Sequence, residues 1–108
     1  MAISFTDEAW DGPGVSSRLS ADDYCSVCLV DTNEPGQPKI KGNCKLPVRS
    51  NPGAPYNRNA LRNAASRVSQ MSGVPDADVR KAASRLVGLE RQAGIETGEG
   101  LLKLAGRQ

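Results

Sequence analysis

The chain contains no histidine. That removes the commonest general base and the commonest zinc ligand together. Bulky side chains are nearly as scarce: the aromatics are Phe5, Trp10, Tyr24 and Tyr56. No apolar run approaches membrane-spanning length, and the first residues lack the pattern of a secretory signal. The cysteines are three, an odd number where secreted disulfide scaffolds usually show an even one, so a reducing compartment is the expectation. Serines are plentiful, but none sits in a Gly-x-Ser-x-Gly elbow and no histidine is there to activate one. Neither an enzyme nor a resident cofactor is expected.

What remains is modest. A chain of 108 residues is one domain at most, and one this size buries only about two-thirds of its unfolded surface. Eleven glycines and seven prolines are spread along it. The core should be small and rich in Ala, Val and Leu, with part of the stability drawn from a partner. The net charge of +2 hides an asymmetry. Residues 1–34 carry seven acids against Arg18 alone, residues 35–55 carry only bases (Lys39, Lys41, Lys45 and Arg49), and residues 56–93 carry seven bases against three acids. An acidic arm can pair with the basic body or with a neighbouring copy.

The pattern predicts a mainly α, small α+β fold in three stretches. Residues 1–18 read as an extended arm, broken by Gly12-Pro13-Gly14, with Phe5 and Trp10 as its apolar anchors. Residues 19–94 read as a small helical domain. Ser20 is a good N-cap for a short helix that sets Tyr24 and Cys28 four apart on one face, although "YCSVCLV" is also rich in strand formers. "CKLPV" reads as extended, because Pro47 disfavours a helical Leu46. Two helices then form an antiparallel pair. The first covers about residues 57–71, capped by Asn57, with Ala60, Leu61, Ala64, Ala65, Val68 and Met71 as its stripe. The second opens at Pro75 and stops at Gly94, with Val79, Ala82, Ala83, Leu86, Val87, Glu90 and Ala93 facing inward. Residues 95–108 form a tail whose Leu101, Leu102 and Leu104 either fold back or dock on a neighbour.

Three constellations bear on function. Cys25, Cys28 and Cys44 suggest a metal, but a structural zinc wants four ligands and the fourth would have to be Asp23 or Asp31. The simpler expectation has Cys28 and Cys44 as small buried apolar groups where the first helix meets "CKLPV". A redox use of Cys25-x-x-Cys28 lacks the surrounding strand–helix frame. Second, Arg58, Arg62, Arg67, Lys81, Arg85 and Arg91 could contact phosphates non-specifically, yet no aromatics interleave with them for base stacking. Nucleic acid is therefore the alternative rather than the expectation. Third, Tyr24, Cys28, Cys44, Leu46, Pro47, Leu61, Val68 and Leu86 are the expected structural positions.

In order, "WDGPGVSSRLSADDYCSVCLVD", "CKLPVRSNPG" and the Ala-rich pair joined at Pro75 resemble a small domain of tailed-bacteriophage head genes, found with or near prohead proteases and other capsid-morphogenesis proteins. The resemblance covers residues 10–94 and rests on Trp10, Asp11, Gly12, Cys28, Leu29, Cys44, Lys45, Leu46, Pro47, Val48, Asn59 and Pro75. Cys25 stands outside that pattern, and no protease domain accompanies this chain. The resemblance implies a virion protein made in the host cytoplasm. It would bind the major capsid protein shell as a decoration (cement) or minor capsid protein, with sibling copies as further partners and no membrane. Phe5, Trp10, Lys45, Arg49, Leu101, Leu102 and Leu104 are the expected partner contacts.

Overall fold

The computed structural model describes residues 3–106; residues 1–2 and 107–108 of the expected arm and tail lie outside the described residues. The elements run β1 (Phe5–Thr6), α1 (Gly12–Arg18), α2 (Ala21–Ser26), β2 (Cys28–Asp31), β3 (Cys44–Pro47), β4 (Tyr56–Asn57), α3 (Arg58–Arg67), α4 (Asp76–Ala93) and α5 (Glu99–Leu104). Single 3-10 turns occupy Lys41–Asn43 and Val68–Gln70. The fold is a small α+β one.

Polar caps decide where the early helices begin. The Asp11 carboxylate accepts from the Gly14 N–H at 3.1 Å, and residue 14 must be glycine for this to happen: a Cβ there would lie 2.3 Å from Asp11 Oδ2. The Ser20 hydroxyl accepts from the Asp23 N–H, starting α2 as expected. That helix is shorter than expected. It stops at Ser26, and Cys28 opens β2 instead of sharing a helical face with Tyr24. The strand-forming run from Val27 to Val30 prevails because it finds a ladder: β2 pairs antiparallel with β3, with Cys28 opposite Pro47, Val30 opposite Lys45 and Asp31 opposite Cys44.

The arm is extended only in part. Residues 12–18 are helical, and β1 pairs in parallel with β4, Phe5 against Tyr56 and Thr6 against Asn57. Asn57 secures both partners. Its Oδ1 accepts from the Ala60 N–H at 2.9 Å, capping α3, while its Nδ2 donates to the Glu8 carbonyl at 2.9 Å. The tail folds back as α5 against α4. Between them Gly94 takes the left-handed conformation (φ 76°) that ends α4.

Two apolar clusters result. The larger gathers Val30, Leu46, Val48, Leu61, Val68, Leu86 and the alanines Ala64, Ala82, Ala83 and Ala93, with Phe5, Leu102 and Leu104 packed against it and Leu101 inside it. The smaller gathers Val15, Leu19, Tyr24, Cys25, Val27, Cys28 and Cys44, with Trp10 against it. All the expected structural positions are buried except Pro47, which is partly exposed. The terminal anchors Phe5, Trp10, Leu101, Leu102 and Leu104 thus meet apolar company inside their own chain. The physical reason is that a two-residue strand pair and a one-and-a-half-turn helix suffice to bring both ends home.

Glu90 lies on the inward stripe of α4 and is only 3% exposed; its Oε1 finds no hydrogen-bond partner among the described residues. Burial pushes its carboxyl above the usual range, partly opposed by Thr97 and by the Arg62 charge. A carboxyl raised in this way favours the folded state while protonated. Its contribution is complete below the pKa of an unfolded glutamate and is lost as pH rises through the folded value. Glu90→Gln should therefore unfold at higher urea than wild type at pH 8, with the two converging near pH 4; equal stabilities at pH 8 would contradict this. Asn57→Ala should cost roughly 2 kcal/mol, a cap plus one further hydrogen bond, measured by the same titration.

Candidate binding groove and cysteine cluster

A trough of about 990 Å³ runs along the seam between the smaller cluster and α3. Trp10 and Tyr24 wall it on one side, Met71 closes the other, and the β3 segment forms its floor. Every charged side chain lining it is basic: Lys41, Lys45 and Arg67. Each is held differently. The Lys41 ammonium donates to the Ser16 carbonyl at 2.7 Å, fastening the 3-10 turn to α1. Arg67 Nε donates to Asn63 Oδ1 at 3.1 Å, which leaves its terminal N–H groups available. The Lys45 ammonium has no hydrogen-bond or ion-pair partner among the described residues. With no acid in the lining, the trough presents positive potential beside two aromatic faces.

Its floor carries an unusual backbone. Leu46 has φ 64°, the one positive value among the described non-glycine residues. Neither an extended nor a right-handed conformation holds there, contrary to the reading of "CKLPV" as simply extended. Such a conformation costs on the order of 1–3 kcal/mol and persists only where its surroundings demand it. Here the demand is burial: the Leu46 side chain is 7% exposed, inside the larger cluster. The ladder skips the Leu29–Leu46 position as a result.

Arg49 does not project toward a partner. Its Nε donates to the Ala54 carbonyl at 2.7 Å and its guanidinium lies 4.7 Å from the Tyr56 ring centre, so it braces the turn after β3. Of the two cations expected to reach outward from this stretch, Lys45 alone is unengaged. Arg58, one of the six bases considered for phosphate contact, is also committed. It pairs with Asp7 at 3.0 Å, donates to the Ala93 carbonyl at 2.9 Å and lies over the Phe5 ring.

Beside the trough, Cys25 of α2 and Cys44 of β3 form a disulfide. The three-cysteine grouping is corrected: Cys28 is a separate, buried free thiol, and Asp31 takes its place. The donor atoms of Cys25, Asp31 and Cys44 lie within 4.8 Å of one another. Asn33 organises this cluster. Its Oδ1 accepts from the Ile40 N–H at 3.0 Å and from Asn43 Nδ2 at 3.2 Å. Those bonds turn Nδ2 toward Asp31 Oδ1 at 2.9 Å, Cys44 Sγ at 3.3 Å and Cys25 Sγ at 3.7 Å. Asp31 Oδ2 pairs with Lys39. Desolvation of Asp31 acts upward, but the bonds from Lys39 and Asn33 outweigh it and hold the carboxyl below its ordinary range. Sequence reasoning missed Asn33; its only signal was an Asp-x-Asn step directly after a strand, a common side-chain turn.

Tyr24 and Cys28 are adjacent, and burial pushes both groups up to about 12. Both are protonated at neutral pH, so neither is a nucleophile there. No described helix is long and apolar enough to cross a membrane. No protein-family model matches the chain, and no curated protein and no solved structure matches it either.

The oxidised, folded protein should leave Cys28 unmodified by iodoacetamide at pH 8. Unfolding without reductant should release one reactive thiol per chain, and reduction three, counted by mass spectrometry. Rapid labelling of Cys28 in the folded state would contradict its burial.

Proposed function

We propose that the chain is a structural virion protein that binds the outer surface of a tailed-phage capsid, as a decoration (cement) or minor capsid protein. The observation that carries this reading is the trough: all of its charged residues are basic, it is floored by the Cys-Lys-Leu-Pro segment, and it is walled by Trp10. Trp10, Cys44, Lys45, Leu46 and Pro47 are also where the sequence resembles the phage-head domain. The resemblance and the trough thus meet on the same residues.

The apolar ends support a particular form of the reading. Because Phe5 and the tail leucines pack at home, the shell contact moves from the ends to the seam. The chain then arrives on the shell already folded, and what it recognises is an extended acidic segment. Such a segment would lay an apolar residue against Trp10 and Tyr24 and its carboxylates near Lys45 and Arg67. A contact of this kind is screened by salt and stabilises the shell by tying neighbouring subunits through one bound protein.

Cosedimentation with purified empty shells tests this. The double variant Lys45→Glu, Arg67→Glu should lose at least tenfold in affinity, about 1.4 kcal/mol, while its melting temperature stays near that of wild type. Wild-type binding should fall as salt is raised. Undiminished occupancy by the double variant would overturn the reading. A shift of duplex DNA by wild type, with no shell binding, would replace it with the nucleic-acid alternative.

A further inference from the structure

The cysteine cluster supports a site of its own, independent of the trough. We propose that, in the thiol-reduced protein, Cys25, Cys44 and Asp31 bind a soft divalent cation of the zinc class, the disulfide being the metal-free oxidised form of the same site.

The donor set comes first. Two thiolates and one carboxylate are ordinary zinc ligands, and their atoms already converge within 4.8 Å. The Cα atoms of Cys25 and Cys44 are 5.3 Å apart. Zn–S bonds of about 2.3 Å at a tetrahedral angle set two sulfurs about 3.7 Å apart, a spacing that side-chain rotation alone can reach from this backbone. The fourth position falls to water, since the nearby Ile40 carbonyl already accepts from the Asn43 N–H and from Asn33 Nδ2.

The surroundings of these donors are what a disulfide would not need. An Asn33 N–H points at both sulfurs, with the amide orientation fixed from behind by Ile40 and Asn43. A disulfide sulfur is a poor acceptor, whereas a metal-bound thiolate is commonly steadied by such a donor. Lys39 faces the Asp31 carboxylate. Two thiolates, one carboxylate and a divalent cation leave one negative charge, and the Lys39 ammonium offsets it. The free thiol Cys28 plays no part: it is buried against Tyr24 and is absent from the converging group.

The chemistry balances with a phosphine as reductant. The S–S bond accepts two electrons, the phosphine takes up the oxygen of one water to become its oxide, and two thiols form. Binding then releases both thiol protons as the sulfurs coordinate the cation. Oxidation by a disulfide reagent reverses this: the two thiolates give up two electrons, re-form the bond and expel the ion.

The test uses the full chain, reduced anaerobically with a phosphine and titrated with Cd²⁺ as a probe of thiolate coordination, with Zn²⁺ as competitor. The expected result is a thiolate-to-metal charge-transfer band that saturates at one equivalent and is displaced by Zn²⁺. Cys28→Ser should leave the titration unchanged. Asp31→Asn should weaken binding at least tenfold, and the oxidised protein should show no band. Because Cys25→Ser or Cys44→Ser could impair folding, Asp31→Asn is the deciding variant. No saturable band, or an affinity unchanged in Asp31→Asn, would overturn the proposal, as would a band that requires Cys28.

Discussion

The structure depends on one constraint: a single strand has to serve two cores. β3 puts Cys44 into the smaller cluster and Leu46 into the larger, with Val48 following it. Neither cluster is large enough to be stable alone in a chain with four aromatics. The strand therefore binds them into one folding unit. The left-handed backbone at Leu46 is the price of serving both, since it re-aims the chain where the ladder passes from one cluster to the other.

From that constraint the trough follows. Two packed bodies joined along a strand leave a furrow where their surfaces diverge, and the residues of the joining strand must form its floor. Lys45 alternates with Cys44 and Leu46, so as they point inward it is left on the open side. The disulfide pair sits at the same seam, linking α2 to the start of β3, and Asn33 brings the long connection between β2 and β3 down onto it. Covalent, polar and apolar ties all converge on roughly the same few residues. This is why a stretch of modest composition carries both the candidate interface and the candidate metal site.

Much of the helical part was legible in advance, because it is written in local signals. Ser20, Asn57 and Gly94 act at helix ends through their own backbone or side-chain chemistry. The stripes of α3 and α4, Glu90 included, follow the helical period. What could not be read depended on partners distant in sequence. Nothing near Phe5 announces Tyr56, so β1 reads only as part of an extended arm. Nothing near Cys28 says that β3 will offer it a ladder, so the capped helix was extended too far. The site divided in the same way. Lys45 was legible as an outward base on an extended segment, whereas Arg49 turned inward because Ala54 and Tyr56 lie within reach. Asp31, already a candidate ligand by its residue type, meets Cys44 across the ladder, whereas Asn33 joins the cysteines only because the twelve-residue connection folds back on itself.

The parallel pairing of β1 with β4 has a consequence for the order of events on the ribosome. Asp7 and its partner Arg58 are 51 residues apart, and parallel strands cannot be joined by a tight turn. The β1 segment must therefore wait, unpaired, until α3 has emerged. During that interval Phe5 and the acids beside it are exposed to whatever surrounds the growing polypeptide. Once α3 is present, Arg58, the first residue of that helix, pairs with Asp7 and covers the Phe5 ring.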